Sequence, residues 1–131
     1  MALKLSPKQL STLSVLEAFP PKFDTIHRLV EELASLRADE SVARRLSRTL
    51  DEMKIAAQSV GESGLAESLG VMATLARRTG GLQMRVRGLR EGFMSVKINF
   101  EGALKAANTP DPEAKDEDGE AVGGESATTS P

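Results

Sequence analysis

Few side chains in this sequence could take part in chemistry, and their types narrow what is possible. There is one histidine, His27, and no cysteine. A thiolate nucleophile, a disulfide framework and a thiolate metal site are excluded, as are multi-His metal sites and the HExxH zinc motif. His27 stands in Ile26-His27-Arg28-Leu29, at the border of an apolar stripe. A partly buried, hydrogen-bonded imidazole is the expectation there; an exposed one could serve as a pH sensor.

Carboxylates and cations gather further along. Arg44, Arg48, Asp51 and Ile55 follow one another at spacings of four, three and four, which puts them on one face of a helix. Lys54 stands beside Asp51, and Asp51 is expected to pair with Arg48 or Lys54 on a solvated surface. An apolar centre with an arginine-rich rim is the composition of a protein contact surface. A second basic series comprises Arg77, Arg78, Arg85, Arg87, Arg90 and Lys97. Such a stripe could contact phosphates, but the sequence has no Tyr or Trp for base stacking. An acidic protein partner is expected rather than nucleic acid.

The elements that must position these groups are helices. Ser6-Pro7-Lys8-Gln9 reads as a capped helix start, followed by Leu10, Leu13 and Leu16, with the end of the first helix at Pro20-Pro21. A second helix from about Lys22 carries Phe23, Ile26, Leu29, Val30, Leu33 and Leu36. A third, from about Val42 to Val60, buries Leu46, Leu50, Met53 and Ala57. Gly61 and Gly64 bracket a break before a fourth helix from Leu65 to about Thr79. The fifth and longest, from Leu82 to about Ala107, has the near-heptad stripe Leu82, Val86, Leu89, Phe93, Val96, Phe100 and Leu104. Its Gly88, Gly92 and Gly102 each cost about 1 kcal/mol of helix propensity, which packing must offset. Met84, Met94, Ile98 and Val71 fall off the stripes. Short connections favour antiparallel neighbours. The expected fold is all-α: an antiparallel four-helix bundle of helices two to five within residues 1–107, with the short extra N-terminal helix across an end or side.

The segment Leu50–Leu69 also has the spacing of a known signature. Met53, Lys54, Ala57, Gly61 and Leu65 match the Leu, Lys, Ala, Gly and Leu of the pattern His-x-Leu-Lys-Gly-x-Ala-x-x-x-Gly-x-x-x-Leu. In this the chain resembles the histidine phosphotransfer (HPt) family, over roughly residues 20–105. The resemblance implies a helical bundle whose partner is a response-regulator receiver domain or a sensor or chemotaxis kinase. Two departures stand where the chemistry lies. Asp51 replaces the phosphorylated His, and Ile55 replaces a Gly that lets a receiver approach. The implied function is a pseudo-HPt interaction module of a two-component or chemosensory system, not an enzyme, with no cofactor and no metal. Its contact residues would be Arg44, Arg48, Asp51, Lys54 and Ile55. Two other functions stay open: an active phosphocarrier using His27, and a structural subunit that oligomerises through the apolar stripe of helix five.

Charge divides the chain. Residues 1–107 hold 16 Lys/Arg and 12 Asp/Glu, whereas residues 108–131 hold one Lys and seven acids. With Pro, Gly, Ser and Thr and almost nothing to bury, that tail reads as disordered, and as able to compete for a basic face of the body. No apolar run reaches the roughly 20 residues of a membrane span, and Met1 to Pro7 lacks a signal-peptide core. A cytoplasmic protein is the expectation.

Overall fold

Ser6 closes the first helical turn from both sides. Its hydroxyl accepts from the Gln9 N–H at 3.0 Å, and the Gln9 side-chain oxygen accepts from the Ser6 N–H at 2.9 Å. With Pro7 at the first position, this capping box starts α1 (Pro7–Leu16). The computed structural model describes residues 4–35, 40–78 and 81–110. Within them the chain continues as α2 (Phe19–Ala34), α3 (Glu40–Ser59), α4 (Ser63–Arg77) and α5 (Leu82–Asn108), with no strand among the described residues.

The proline pair acts differently from the expectation. Helix α1 ends at Leu16, and Pro20 and Pro21 lie in the first turn of α2, which begins at Phe19. Their missing N–H groups fall where a helix has no internal acceptor for them. The pair therefore opens the second helix instead of closing the first. The gain is the burial of Phe19, only 1 % exposed. All four phenylalanines of the chain meet at this joint: Phe19 stacks on Phe100 at 5.9 Å, and Phe23 meets Phe19, Phe93 and Phe100 edge-on at 5.0–6.0 Å. These are the spacings at which aromatic pairs attract.

Side-chain contacts fix the direction of each helix. Glu31 meets Arg90 while Phe19 meets Phe100, so α2 and α5 run antiparallel. Gly88 faces Leu75, Gly92 faces Met72 and Asn99 faces Ser68, so α4 and α5 do too. Arg77 reaches Ser47 whereas Gly70 lies under Lys54, which makes α3 and α4 antiparallel. Helix α2 packs on α3 and α5, and α4 on α3 and α5, so the four close into an up-down ring. Helix α1 lies mainly along α5. Gln9 donates to the carbonyls of Ala106 and Thr109, at 3.3 and 2.7 Å, and so ties the start of α1 to the end of α5, where the Ala106 carbonyl also accepts from the Thr109 N–H.

Most of the expected stripes form the core, with Leu16, Ile26, Leu46, Leu50, Met53, Leu69, Met72, Leu89 and Val96 fully enclosed; Phe23, Leu82 and Leu104 are partly buried, and Leu36 lies outside the described residues. Leu10 is a correction: it is 55 % exposed, and Thr12 is buried in α1 instead. Gly61 adopts φ +77. Its N–H reaches the Gln58 carbonyl and that of Glu62 the Ala57 carbonyl, at 3.0 and 2.9 Å. This is a Schellman end to α3. Gly92 serves closeness: a Cβ there would lie 2.9 Å from the Met72 Cγ. The expected compensation for glycines in α5 is thus a tight α4–α5 contact at Gly88 and Gly92, whereas Gly102 has open space around it.

Arg85 is the discordant residue of the interior. It is 7 % exposed, its Nη2 lies 4.0 Å from Glu40, and neither Nε nor Nη1 has a hydrogen-bond partner among the described residues. No helix among the described residues is long and apolar enough to cross a membrane. The expected acidic tail lies outside the described residues from position 111 onward.

Candidate functional site

Small side chains draw α3 and α4 together. Ala43 and Ala57 on α3, and Ala66, Ala73 and Ala76 on α4, are all buried. Where longer side chains resume at the surface, they border an open groove of about 560 Å³. The buried Ala43 and Ala76 form its floor, and its walls carry Arg44, Arg48, Asp51, Glu52, Ile55 and Arg77. Four of the five expected contact residues (Arg44, Arg48, Asp51 and Ile55) thus line one depression. Ile55 is 65 % exposed at the C-terminal end of the groove's α3 side, one turn past Asp51.

Lys54 is set apart. It borders a second, smaller hollow of about 290 Å³ with Asp51, Glu67, Gly70, Val71 and Arg77. Its stem passes over Gly70, where a Cβ would sit 3.4 Å from the Lys54 Cε and Nζ. Asp51 and Arg77 belong to both hollows and form the wall between them.

That wall corrects the expected pairing of Asp51. Its partner is neither Arg48 nor Lys54 but Arg77, which donates from Nη1 to the Asp51 Oδ2 at 3.0 Å and to the buried Ser47 Oγ at 2.9 Å. Both charged groups stay about half exposed, so the pair adds at most about 1 kcal/mol to stability. Its effect on the surface is larger: it fixes the orientation of the Asp51 carboxylate between the two hollows. Arg77, which the sequence places only in the late basic series, thus belongs to the α3 surface. The signal for it is the hairpin itself. Positions equidistant from Glu62 face each other across α3 and α4, as 54 faces 70 and 47 faces 77.

His27 departs from the expected partly buried state. It is exposed on α2, one turn before Glu31. Arg90 donates from Nε and Nη2 to the two Glu31 oxygens, at 3.1 and 2.8 Å. These hydrogen bonds hold the Glu31 carboxyl below its ordinary range, against a small opposing effect of desolvation; the charges of Arg90 and His27 add to the lowering. The same bonds raise the Arg90 guanidinium.

The late basic series is not one surface. Arg77 turns to α3, Arg85 is buried, Arg87 pairs with Glu91 at 3.4 Å and Arg90 with Glu31. The Lys97 ammonium lies 4.8 Å from the Phe93 ring centroid, a cation–π contact. No three His, Asp or Glu side chains among the described residues are gathered to hold a metal ion. No family model, no curated protein and no solved structure matches the chain.

Proposed function

We propose that this chain is a non-catalytic, HPt-like interaction module of a cytoplasmic two-component or chemosensory system, which docks a receiver domain or a kinase through the α3/α4 groove. In this reading the four-helix bundle keeps the shape of a phosphotransfer domain, and the acidic tail is an appendage of the body. The observation that supports it best is Ile55, 65 % exposed at the end of a groove whose α3 side also carries Arg44, Arg48, Asp51 and Glu52. Exposed aliphatic groups rimmed by arginines are the composition that partners desolvate on binding.

Binding without transfer follows from the chemistry of Asp51. An aspartyl phosphate forms where a metal-binding acidic cluster neutralises the incoming charge. Asp51 instead has its carboxylate committed to Arg77. Arg44 and Arg48 supply positive charge on one side of Ile55, and Asp51 and Glu52 negative charge, so a complementary partner would carry both signs. The distribution of the late arginines among intramolecular partners weighs against a phosphate-tracking surface, and so against nucleic acid.

The test is capture of purified receiver domains and kinases by the immobilised chain. Wild type is expected to retain at least one, and Ile55→Asp to lose at least tenfold in affinity. Unchanged retention by Ile55→Asp would remove the groove from the account. The exposure of His27 favours a second function, the active phosphocarrier. Incubation with a kinase and labelled ATP separates the two: acid-labile label that disappears in His27→Ala supports the carrier, and an unlabelled chain supports the pseudo-HPt module.

A further inference from the structure

The long apolar stripe of α5 is consumed inside the chain: Val86, Leu89, Phe93, Val96 and Phe100 are all buried. Self-association through that stripe would require opening the bundle. The opposite side of the same helix carries a second seam. Arg87, Glu91, Met94, Ile98, Glu101 and Lys105 recur at alternating spacings of four and three, the repeat of a coiled-coil contact line. All six are exposed, Met94 at 63 % and Ile98 at 67 %. The neighbours of α5 are α1, α2 and α4, and none covers this line.

We infer that this outer seam of α5 pairs with the same seam of a second copy, antiparallel, about a two-fold axis at Ile98. Charge selects both partner and register. An antiparallel pairing centred between Met94 and Ile98 would set Glu91 against the second copy's Glu101, and Arg87 against its Lys105, which repel. A parallel pairing in register sets every charge against itself. Centring on Ile98 instead places Glu91 opposite Lys105 of the second copy, twice by symmetry. It also places Met94 opposite Gly102, which is exposed and has open space where a side chain would be. A long flexible side chain then meets a position with no side chain, and Ile98 packs on its own copy. Arg87 already pairs with Glu91, so each end becomes a three-charge network.

The seam spans only about 27 Å of helix from Arg87 to Lys105, short of a standard interface. The association proposed is accordingly of the weak, transient class, on the order of 10 μM to 1 mM. It faces away from the core and from α3, and leaves the α3/α4 groove of both copies open.

Sedimentation equilibrium of the full chain over that range tests the inference. Wild type is expected to show a reversible monomer–dimer equilibrium. Lys105→Glu should weaken it by about tenfold, and Glu91→Lys combined with Lys105→Glu should restore it. Because the chain has no cysteine, Ile98→Cys reports the axis directly: mild oxidation should give a disulfide-linked dimer, and Thr74→Cys on α4 should not. A wild-type chain that stays monomeric at 1 mM overturns the proposal. So does a dimer that Lys105→Glu leaves intact, or one that the double reversal fails to restore.

Discussion

Asp51 shows how the helix opposite sets the role of one side chain. Its carboxylate is held by Arg77 across a helix hairpin; in the proposed reading it stands where the HPt pattern has an imidazole. The residue contributes orientation and charge, and neither needs a phosphoryl group. Arg85 shows the reverse, a buried guanidinium with one long ion pair to Glu40 and with Nε and Nη1 lacking hydrogen-bond partners among the described residues. A buried polar group without a partner costs about 1–3 kcal/mol, and Glu40, its distant neighbour, is 62 % exposed and needs no partner. Arg85→Met keeps most of the volume and removes that cost. Thermal unfolding should show a stabilisation of about 1–3 kcal/mol; a destabilised variant would mean that the guanidinium is satisfied in solution. Neither Arg77 nor Arg85 was legible in sequence. Both read as members of a basic run, because sequence spacing gives the face of one helix but not which helix lies opposite.

At the scale of elements, the stripes of Leu, Val, Ile and Met gave α3, α4 and α5 nearly whole, since period-3.6 patterning of buried residues is local. The α1–α2 joint was misplaced because a proline pair fits both the end of a helix and the first turn of the next. What decides is the tertiary burial of Phe19 against Phe100. The glycines of α5 are equally ambiguous in sequence and differ in the fold. An alanine gains helix propensity at either position, but at Gly92 it must displace the enclosed Met72. Overpacking of that kind costs about 1–3 kcal/mol. Gly92→Ala should therefore be less stable than Gly102→Ala by about that amount in urea titrations of dilute, monomeric protein. Equal stabilities would show that α4 and α5 can part without loss.

The tie between α2 and α5 carries a pH dependence. Because Arg90 lowers the Glu31 carboxyl in the folded chain, the stabilisation is complete above the ordinary glutamate value of about 4.3. It is lost as pH falls through the lower, folded value. Wild type should then unfold at higher urea than Glu31→Gln at pH 7, by a small margin that salt reduces. The two midpoints should converge as pH falls below the folded value. A margin that persists in acid would assign the effect to packing instead of charge.

At the scale of the whole molecule, α2 to α5 close a ring that consumes their apolar stripes and leaves two surfaces of different character. One is the α3/α4 groove, where Arg44, Arg48, Asp51 and Ile55 meet Arg77. The other is the outer seam of α5. Sequence patterning supplied the groove's α3 side, because those residues share one helix face. The α4 side, the separation of Lys54 and the exposure of His27 come from how helices are set against one another. The most direct measurement of the central claim is amide chemical-shift mapping of the labelled chain during titration with a receiver domain that it retains. Shifts are expected to concentrate in α3 between Glu40 and Ile55 and at Ala76 and Arg77, and to leave α1 and the outer seam of α5 unmoved. Shifts centred on α2 around His27, or on α5, with the α3/α4 groove silent, would contradict it.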